Sequence, residues 1–408
     1  MTALGSRRRE DILTGAARWL RGARRVMGSQ RRRTAAGLPP YVVGFYRRFL
    51  LWIPPTLLYV TSRRRWRSRH TSDLTVIVSS YEHSYVQNLR RAMRGAMLFV
   101  PIRQRHQFAA PIKFIHADIF HLHFVDELGL NLNATAALIG QLQATGTKIV
   151  WTAHDLTPHS KLHDQFDPIF SAWAAAADGV IHHSQFGEKL LRERYDFAPY
   201  AIHTVIENRY RREHADLTLL EQRTAIETDL GLPQTPIRIG LLGSPRVERK
   251  VAEFLRGAAL STSQNFQVVC WSLRPEDEPP HDPRIAIAQT RQFFSDETHS
   301  RRLAICDLIA LPIDPGGEML TTGLVPDAFA MGLGILASDW EFLRETCGDA
   351  AILCGHTPES VAKCLDQLTV ADVRAAREAS RRLRKSHDWE SARQPVAEFY
   401  RNVRDLRI

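Results

Sequence analysis

From residue 73 onward, short apolar runs of strand length alternate with stretches of helical period. LTVIVSS (74–80) is continuously apolar over too few residues for a helix, the pattern of a strand buried on both faces. YVQNLRRAMRGAM (85–97) predicts a helix with Val86, Leu89, Ala92 and Met93 on one face. MLFVPI (97–102), IFHLHFVDE (119–127), KIVWTAHD (148–155), GVIHHS (179–184) and AIHTVIEN (201–208) read as strands. Between them LNATAALIGQLQATG (132–146, closed by Gly146), FSAWAAAADG and FGEKLLRERY read as helices. Residues 209–235 are polar and charged without strand signals, and predict a connector. A second alternating series follows: IRIGLLG (237–243), FQVVCWS (266–272), RIAIAQT (284–290), LIALPI (308–313) and GILAS (334–338). The expected fold class is α/β, with two Rossmann-like domains facing a cleft, each an open parallel sheet presenting its strand carboxyl ends.

Two loops of the second series predict an anion site. PGGEMLTTG (315–323) leads into the short helical segment LVPDAFAMG, with Val325, Phe329 and Ala330 at helical spacing and Gly332 and Gly334 behind it. Such a loop and helix start lie at the carboxyl edge of a parallel sheet, where backbone N–H groups and the helix dipole favour phosphate. Thr321, Thr322 and Gly323 supply two hydroxyls and one position of close backbone approach. GSPRVERKVAEFLRG (243–257) is a second glycine turn, at Gly243, running into a helix. Arg246, Arg249 and Lys250 crowd its start, where cations are unfavourable beside the positive helix end unless an anion sits among them.

The first-domain edges offer His121, His123, Asp126, Glu127, His154, Asp155, His159, His182, His183 and Ser184. Neighbours such as His182 and His183 point to opposite faces of a strand, and no HExxH or paired Cys/His set is present, so no metal site is expected. Acid–base work or hydroxyl recognition suits these groups better, His154 above all, since it ends a buried strand and precedes an Asp and a Pro-containing turn.

Charge changes the picture at the amino end. Residues 1–70 hold seventeen arginines and no lysine against Glu10 and Asp11, a net +15. The whole chain is +10, so residues 71–408 carry −5. Within this arm FLLWIPPTLLYV is too short to cross a bilayer as a helix, and Pro54–Pro55 would break one. Trp52, Phe49, Tyr46 and Tyr59, flanked by RRR at 31–33 and RRRWR at 63–67, predict an interfacial anchor on an anionic membrane surface. No nucleic-acid motif or aromatic stacking platform accompanies the charge, so no nucleic-acid partner is expected. Five cysteines without a CxxC pair point to a reducing compartment.

The ordered set SSYEHSYVQNLRRAM, HADIFHLHFVDE, GTKIVWTAHDLTPH, ADGVIHHSQFGEKLLRERY, GSPRVERK and LTTGLVPDAFAMGLGILASD resembles the bacterial GT-B glycosyltransferases that build exopolysaccharide and surface glycans. The resemblance is to the branch related to the family 4 enzymes and the xanthan mannosyltransferases. It covers about residues 73–408, and the tail SHDWESARQPVAEFYRNV resembles the closing helix that crosses back onto the first domain in that fold. It implies a basic extension (1–70), an acceptor domain (71–208), a connector (209–235), a nucleotide-sugar domain (236–384) and a returning helix (385–408). It implies a nucleotide-diphosphate sugar as donor substrate, no cofactor and no protein-bound metal. A glycan or lipid-linked acceptor at the inner face of the membrane completes the expectation, with a cytoplasmic, peripheral location.

On this resemblance Arg246, with Arg249 or Lys250, holds the donor diphosphate, and Thr321, Thr322 and Gly323 touch the phosphates. Asp327 falls where the second Glu of the two-glutamate motif binds ribose, His154 lies beside the donor sugar, and Asp126 or Glu127 sits where an acceptor-side base belongs. Asp155, Ser184 and Asn208 complete the cleft. The chain departs from the pattern at Met319, where the first Glu would fall and Glu318 stands one residue away, and at Arg249–Lys250 and Glu207–Asn208. Two other classes fit the same fold: a sugar-nucleotide epimerase or phosphorylase, and a non-catalytic membrane-associated partner subunit.

Overall fold

The computed structural model describes residues 74–80, 82–101, 117–157, 163–210, 214, 216–246, 248–288, 295–316 and 319–406. The basic extension, His159 and Glu318 lie outside these residues. The apolar runs form two sheets. The first comprises β1 (Thr75–Val78), β2 (Leu98–Pro101), β3 (Ile119–Leu122), β4 (Lys148–Thr152), β5 (Gly179–His182) and β6 (Ile202–Val205), in the order β2-β1-β3-β4-β5-β6. The second comprises β7 (Ile237–Leu241), β8 (Phe266–Cys270), β9 (Ile285–Ile287), β10 (Leu308–Leu311), β11 (Gly334–Ser338) and β12 (Ala351–Cys354), ordered β12-β11-β10-β7-β8-β9. The pairs in both sheets are parallel. Strand order reverses between β1 and β3 in the first domain and between β7 and β10 in the second, so each has a crevice at those carboxyl ends.

Several elements differ from the sequence expectation. The helix after β1 is Ser84–Ala92, and Gly95, at φ 84°, lies in the turn that follows instead of in the helix. The stretch 209–235 contains helices Thr218–Glu221 and Arg223–Asp229, and Ile226 is buried in the second core. Two of its charges, Arg223 and Glu227, are paired internally, whereas Glu221 and Asp229 are exposed. Arg223 donates to both Asp307 oxygens at 2.8 and 2.9 Å, and Glu227 accepts from Arg223 and from the fully buried Arg238. An internal ion-pair network of this kind reads as a polar linker in sequence. The helix after β7 begins at Val251, which leaves Arg246 in the preceding loop. Strand β12 and helices Pro358–Gln367 and Val370–Leu383 extend the second domain beyond the predicted elements.

The C-terminal helix Arg393–Arg404 belongs to the first core: Val396, Ala397, Phe399, Tyr400 and Val403 are buried with Val76, Val78, Ile119 and Ile181. Among the described residues no helix is long and apolar enough to cross a membrane. The seating of this helix depends on Gly179. A Cβ there would stand 2.6 Å from Val403 Cγ2 and 2.8 Å from Phe399 Cζ. Gly179→Ala is therefore expected to cost about 1–3 kcal/mol by overpacking. Gly140, in helix Leu132–Ala144, is the control, because a Cβ added there would meet nothing within 4 Å. Gly140→Ala should stabilise by about 0.5–1 kcal/mol. Urea midpoints that move the same way in both variants would refute this account of the helix seat.

Candidate active site

The second-domain wall is built from the two switch-point loops. Gly243, just after β7, has φ 96°, and the Arg249 guanidinium occupies the space a Cβ would take. Arg249 donates to the Leu242 carbonyl and so braces this turn. Burial, and secondarily Arg246, push the Arg249 guanidinium down to about 10, and it remains a cation at neutral pH. Lys250 turns away and pairs with Asp314 at 3.0 Å. Its backbone N–H donates to Pro312 O at 2.7 Å, and Arg249 and Ile313 form a backbone bridge, so the two loops are stitched together. Of the three predicted cations, Arg246 and Arg249 line the cavity and Lys250 does not.

Residues 319–323 reach across to the first domain. Met319 forms an antiparallel bridge with Asp155, and Leu320, 1% exposed, is buried in the first-domain core. Asn208 Nδ2 donates to Thr321 Oγ1 at 3.1 Å and Thr322 O at 3.4 Å. Thr322 Oγ1 accepts from Leu324 N at 3.3 Å, and Gly323 caps helix Leu324–Met331. With Leu324 N–H capped and Pro326 lacking an N–H, this helix start offers an anion fewer amides than a bare terminus. Thr321, Thr322 and Gly323 all line the cavity.

The first-domain wall holds a file of buried imidazoles. Ile206 O can only accept, at 2.9 Å, so His183 carries its proton on Nδ1. His183 Nε2 then accepts from His154 Nδ1 at 3.2 Å, and His154 Nε2 accepts from His123 Nδ1 at 3.3 Å. Both nitrogens of His154 are engaged. Its ring stacks on Phe124 at 4.3 Å and meets Tyr85 edge-on at 4.8 Å. Burial, reinforced by the neighbouring imidazoles, holds His123 and His154 well below the usual histidine range. Burial also takes His183 down to about 4, opposed by its bond to Ile206 O. Nearby, His121 bridges Thr152 Oγ1 at 2.7 Å and the Tyr400 hydroxyl at 2.6 Å.

The remaining predicted residues divide clearly. Asp155 and Asn208 line the cavity. Asp126 and Glu127 sit on the 3₁₀ turn Asp126–Leu128, with Glu127 exposed, and do not line it. Ser184 caps helix Gln185–Arg194 through Gly187 N at 2.9 Å, a structural position away from the cavity wall. Asp327 does line it, but its Oδ2 meets His214 Nδ1 at 2.9 Å and His299 Nε2 at 3.1 Å. Burial would raise the Asp327 carboxyl, and the bonds from His214 and His299 overcome this to hold it well below the usual carboxylate range. Tyr85, Arg209, His214, His299 and Trp389 also line the cavity and were not singled out in sequence. Two of these had a signal, Tyr85 in the motif SSYEHSYVQNLRRAM and Trp389 in the tail motif SHDWE.

Together these walls enclose a cavity of about 470 Å³ between the domains. No family model matches the chain, and no curated protein matches it by sequence. Solved structures do match its fold. A glycosyltransferase from Rickettsia africae is 14% identical with TM-score 0.61, over 83% of this chain and 100% of that one. Sucrose-phosphate synthase from Thermosynechococcus elongatus is 14% identical with TM-score 0.58, over 81% and 99%. Anabaena HepE, solved in complex with UDP and glucose, is 12% identical with TM-score 0.57, over 81% and 100%. The chain has the GT-B fold: two parallel α/β domains across a cleft.

The imidazole file makes stability pH-dependent. Unfolded, His183 binds a proton near pH 6.5. Folded, it does so only near pH 4. The unfolded state therefore binds more protons in this window, and stability falls as pH drops from about 6.5 towards 4. The loss for this one group is on the order of 3 kcal/mol. Urea titrations across this window should show a shallower pH slope for His183→Gln than for the wild-type chain. Equal slopes would mean that His183 is not buried as a neutral imidazole.

Proposed function

We propose that this chain is a glycosyltransferase that moves a sugar from a nucleotide-diphosphate sugar to a glycan or lipid-linked acceptor. The observation that carries the reading is the convergence of both second-domain switch-point loops on one interdomain cavity, Arg246 from the first and Thr321–Gly323 from the second. Arg246 supplies the cation and the helix start at Gly323 a positive dipole end for a diphosphate. The opposite wall is rich in aromatic rings, with Tyr85, Phe124, His154 and Trp389 beside the charged Arg209 and Asp155, and suits the sugar face. The UDP in the fold-related HepE complex supports a nucleotide donor.

In this reading the cationic wall stabilises the leaving nucleoside diphosphate as the glycosidic bond breaks, while an acceptor hydroxyl attacks the anomeric carbon. His154 has both nitrogens engaged by other histidines, so it shapes the sugar pocket and takes no proton in this arrangement. Asp155 is the carboxylate on the first-domain wall of the cavity. It receives the hydroxyl proton if the anomeric centre inverts. If configuration is retained, the leaving phosphate receives it.

A thermal-shift screen of UDP, GDP, ADP and their sugars tests the donor. One nucleoside diphosphate should raise the Tm of the wild-type chain, and Arg246→Ala should weaken its binding at least tenfold. A flat wild-type screen would favour the non-catalytic partner subunit.

The reading extends to the membrane through residues 1–70, whose net +15 and aromatic segment suit an anionic surface next to a lipid-linked acceptor. In this reading the chain works at the inner face of the membrane, as a peripheral protein. Deleting residues 1–70 should abolish sedimentation with phosphatidylglycerol vesicles and spare nucleotide binding. Undiminished vesicle binding by the shortened chain would remove the anchor.

A further inference from the structure

His214, His299 and Asp327 come from three separate parts of the chain: residue 214, helix Asp296–Ala304 and helix Leu324–Met331. His214 lies 113 residues from Asp327 and His299 lies 28 residues from it, yet one ligand atom of each falls within 4.8 Å of the other two. The donor atoms of a tetrahedral first-row ion sit roughly 3.3 Å apart, given metal–ligand bonds of about 2.0–2.1 Å. Here Asp327 Oδ2 is 2.9 Å from His214 Nδ1 and 3.1 Å from His299 Nε2. Both carboxylate–imidazole distances are within a few tenths of an ångström of that spacing, and the two imidazole nitrogens lie within 4.8 Å of each other.

The second shell fits as well. His214 Nε2 faces Asp296 Oδ1 at 3.2 Å. With an ion in place of the Nδ1 proton, His214 keeps its Nε2 proton on Asp296 and turns the Nδ1 lone pair towards the cluster. This is the carboxylate–histidine–metal arrangement that orients metal-ligating imidazoles. The set opens on the cleft: all four side chains line the cavity that Arg246 and Gly323 also line. By contrast, His182, His203 and Glu188 also gather, but His182 Nε2 and His203 Nδ1 face each other at 2.9 Å and that group does not line the cleft.

We infer that His214, His299 and Asp327 form a divalent-cation site in the wall of the cleft, with Asp296 as the orienting carboxylate. Two imidazoles and one carboxylate select a borderline first-row ion such as Zn²⁺ or Co²⁺ over Mg²⁺ or Ca²⁺, which take oxygen ligands. Three protein ligands leave coordination positions open towards the cavity. This proposal departs from the expectation from sequence that the protein binds no metal. The inference rests on side-chain geometry and stands apart from the transferase reading, because the metal alone is the probe.

The test is calorimetric titration of the full-length chain with Co²⁺ and Zn²⁺, without nucleotide, followed by visible absorption of the Co²⁺ form. The wild-type chain should bind one equivalent at this site and show tetrahedral Co²⁺ bands. His299→Ala and Asp327→Asn should each weaken binding at least tenfold. Asp296→Asn should fall between these and the wild type, and His203→Gln should leave the event unchanged. His299→Cys should restore binding and add a thiolate-to-Co²⁺ charge-transfer band, which reports direct ligation even where His299→Ala folds poorly. A wild-type isotherm without a one-equivalent event, an event that survives His299→Ala, or a Cys variant without the band would overturn the inference.

Discussion

The structure depends on the short segment 319–322 that leaves the second domain and lodges in the first. Met319 extends the first-domain edge by bridging Asp155, and Leu320 is buried in the first-domain core. Burying one leucine is worth about 1.5–3 kcal/mol. A second contact works with it: Glu345 accepts from Gln185 N at 2.6 Å and Phe186 N at 2.9 Å, capping a first-domain helix from the second domain. These contacts hold the two sets of strand carboxyl ends face to face. They are few and local, so they fix a closed cleft without fusing the two cores, the property a site needs if it must both exclude water and exchange ligands.

Within that frame the cavity is electrically divided. Its second-domain wall carries Arg246, with Arg249 occupied in bracing the Gly243 turn. Its first-domain wall carries imidazoles that burial keeps neutral, packed among Tyr85, Phe124 and Trp389, with Arg209 and Asp155 as the charged groups beside them. A ligand with an anionic end and a polyhydroxylated, weakly apolar end satisfies both walls at once.

The strands were legible because buried parallel strands are apolar on both faces and short, and the residues that follow them directly were therefore placed at the right edge. Arg246, Thr321–Gly323, His154 and Asp155 reach the cavity for that reason. Spacing does not say where a side chain at such an edge turns. Lys250 goes to Asp314, Ser184 to its own helix amide, and Glu127 to solvent. The two helices within 209–235 went unread for a related reason, since Arg223, Glu227 and Asp307 are charged yet mutually compensated. His214 and His299 carry no sequence signal, because what makes them meet is the packing of separate segments on one carboxylate.

That carboxylate also reconciles two roles that compete on paper. The resemblance puts a ribose-binding acid at position 327, whereas the structure gives Asp327 Oδ2 to two imidazoles. A carboxylate has two oxygens and about four lone-pair sites. Oδ2 can hold the imidazoles, or an ion in place of their protons, while Oδ1 accepts from a hydroxyl. The shortening from Glu to Asp then has a consequence of its own. A shorter side chain draws the carboxylate back into the wall, where His214 and His299 can reach it.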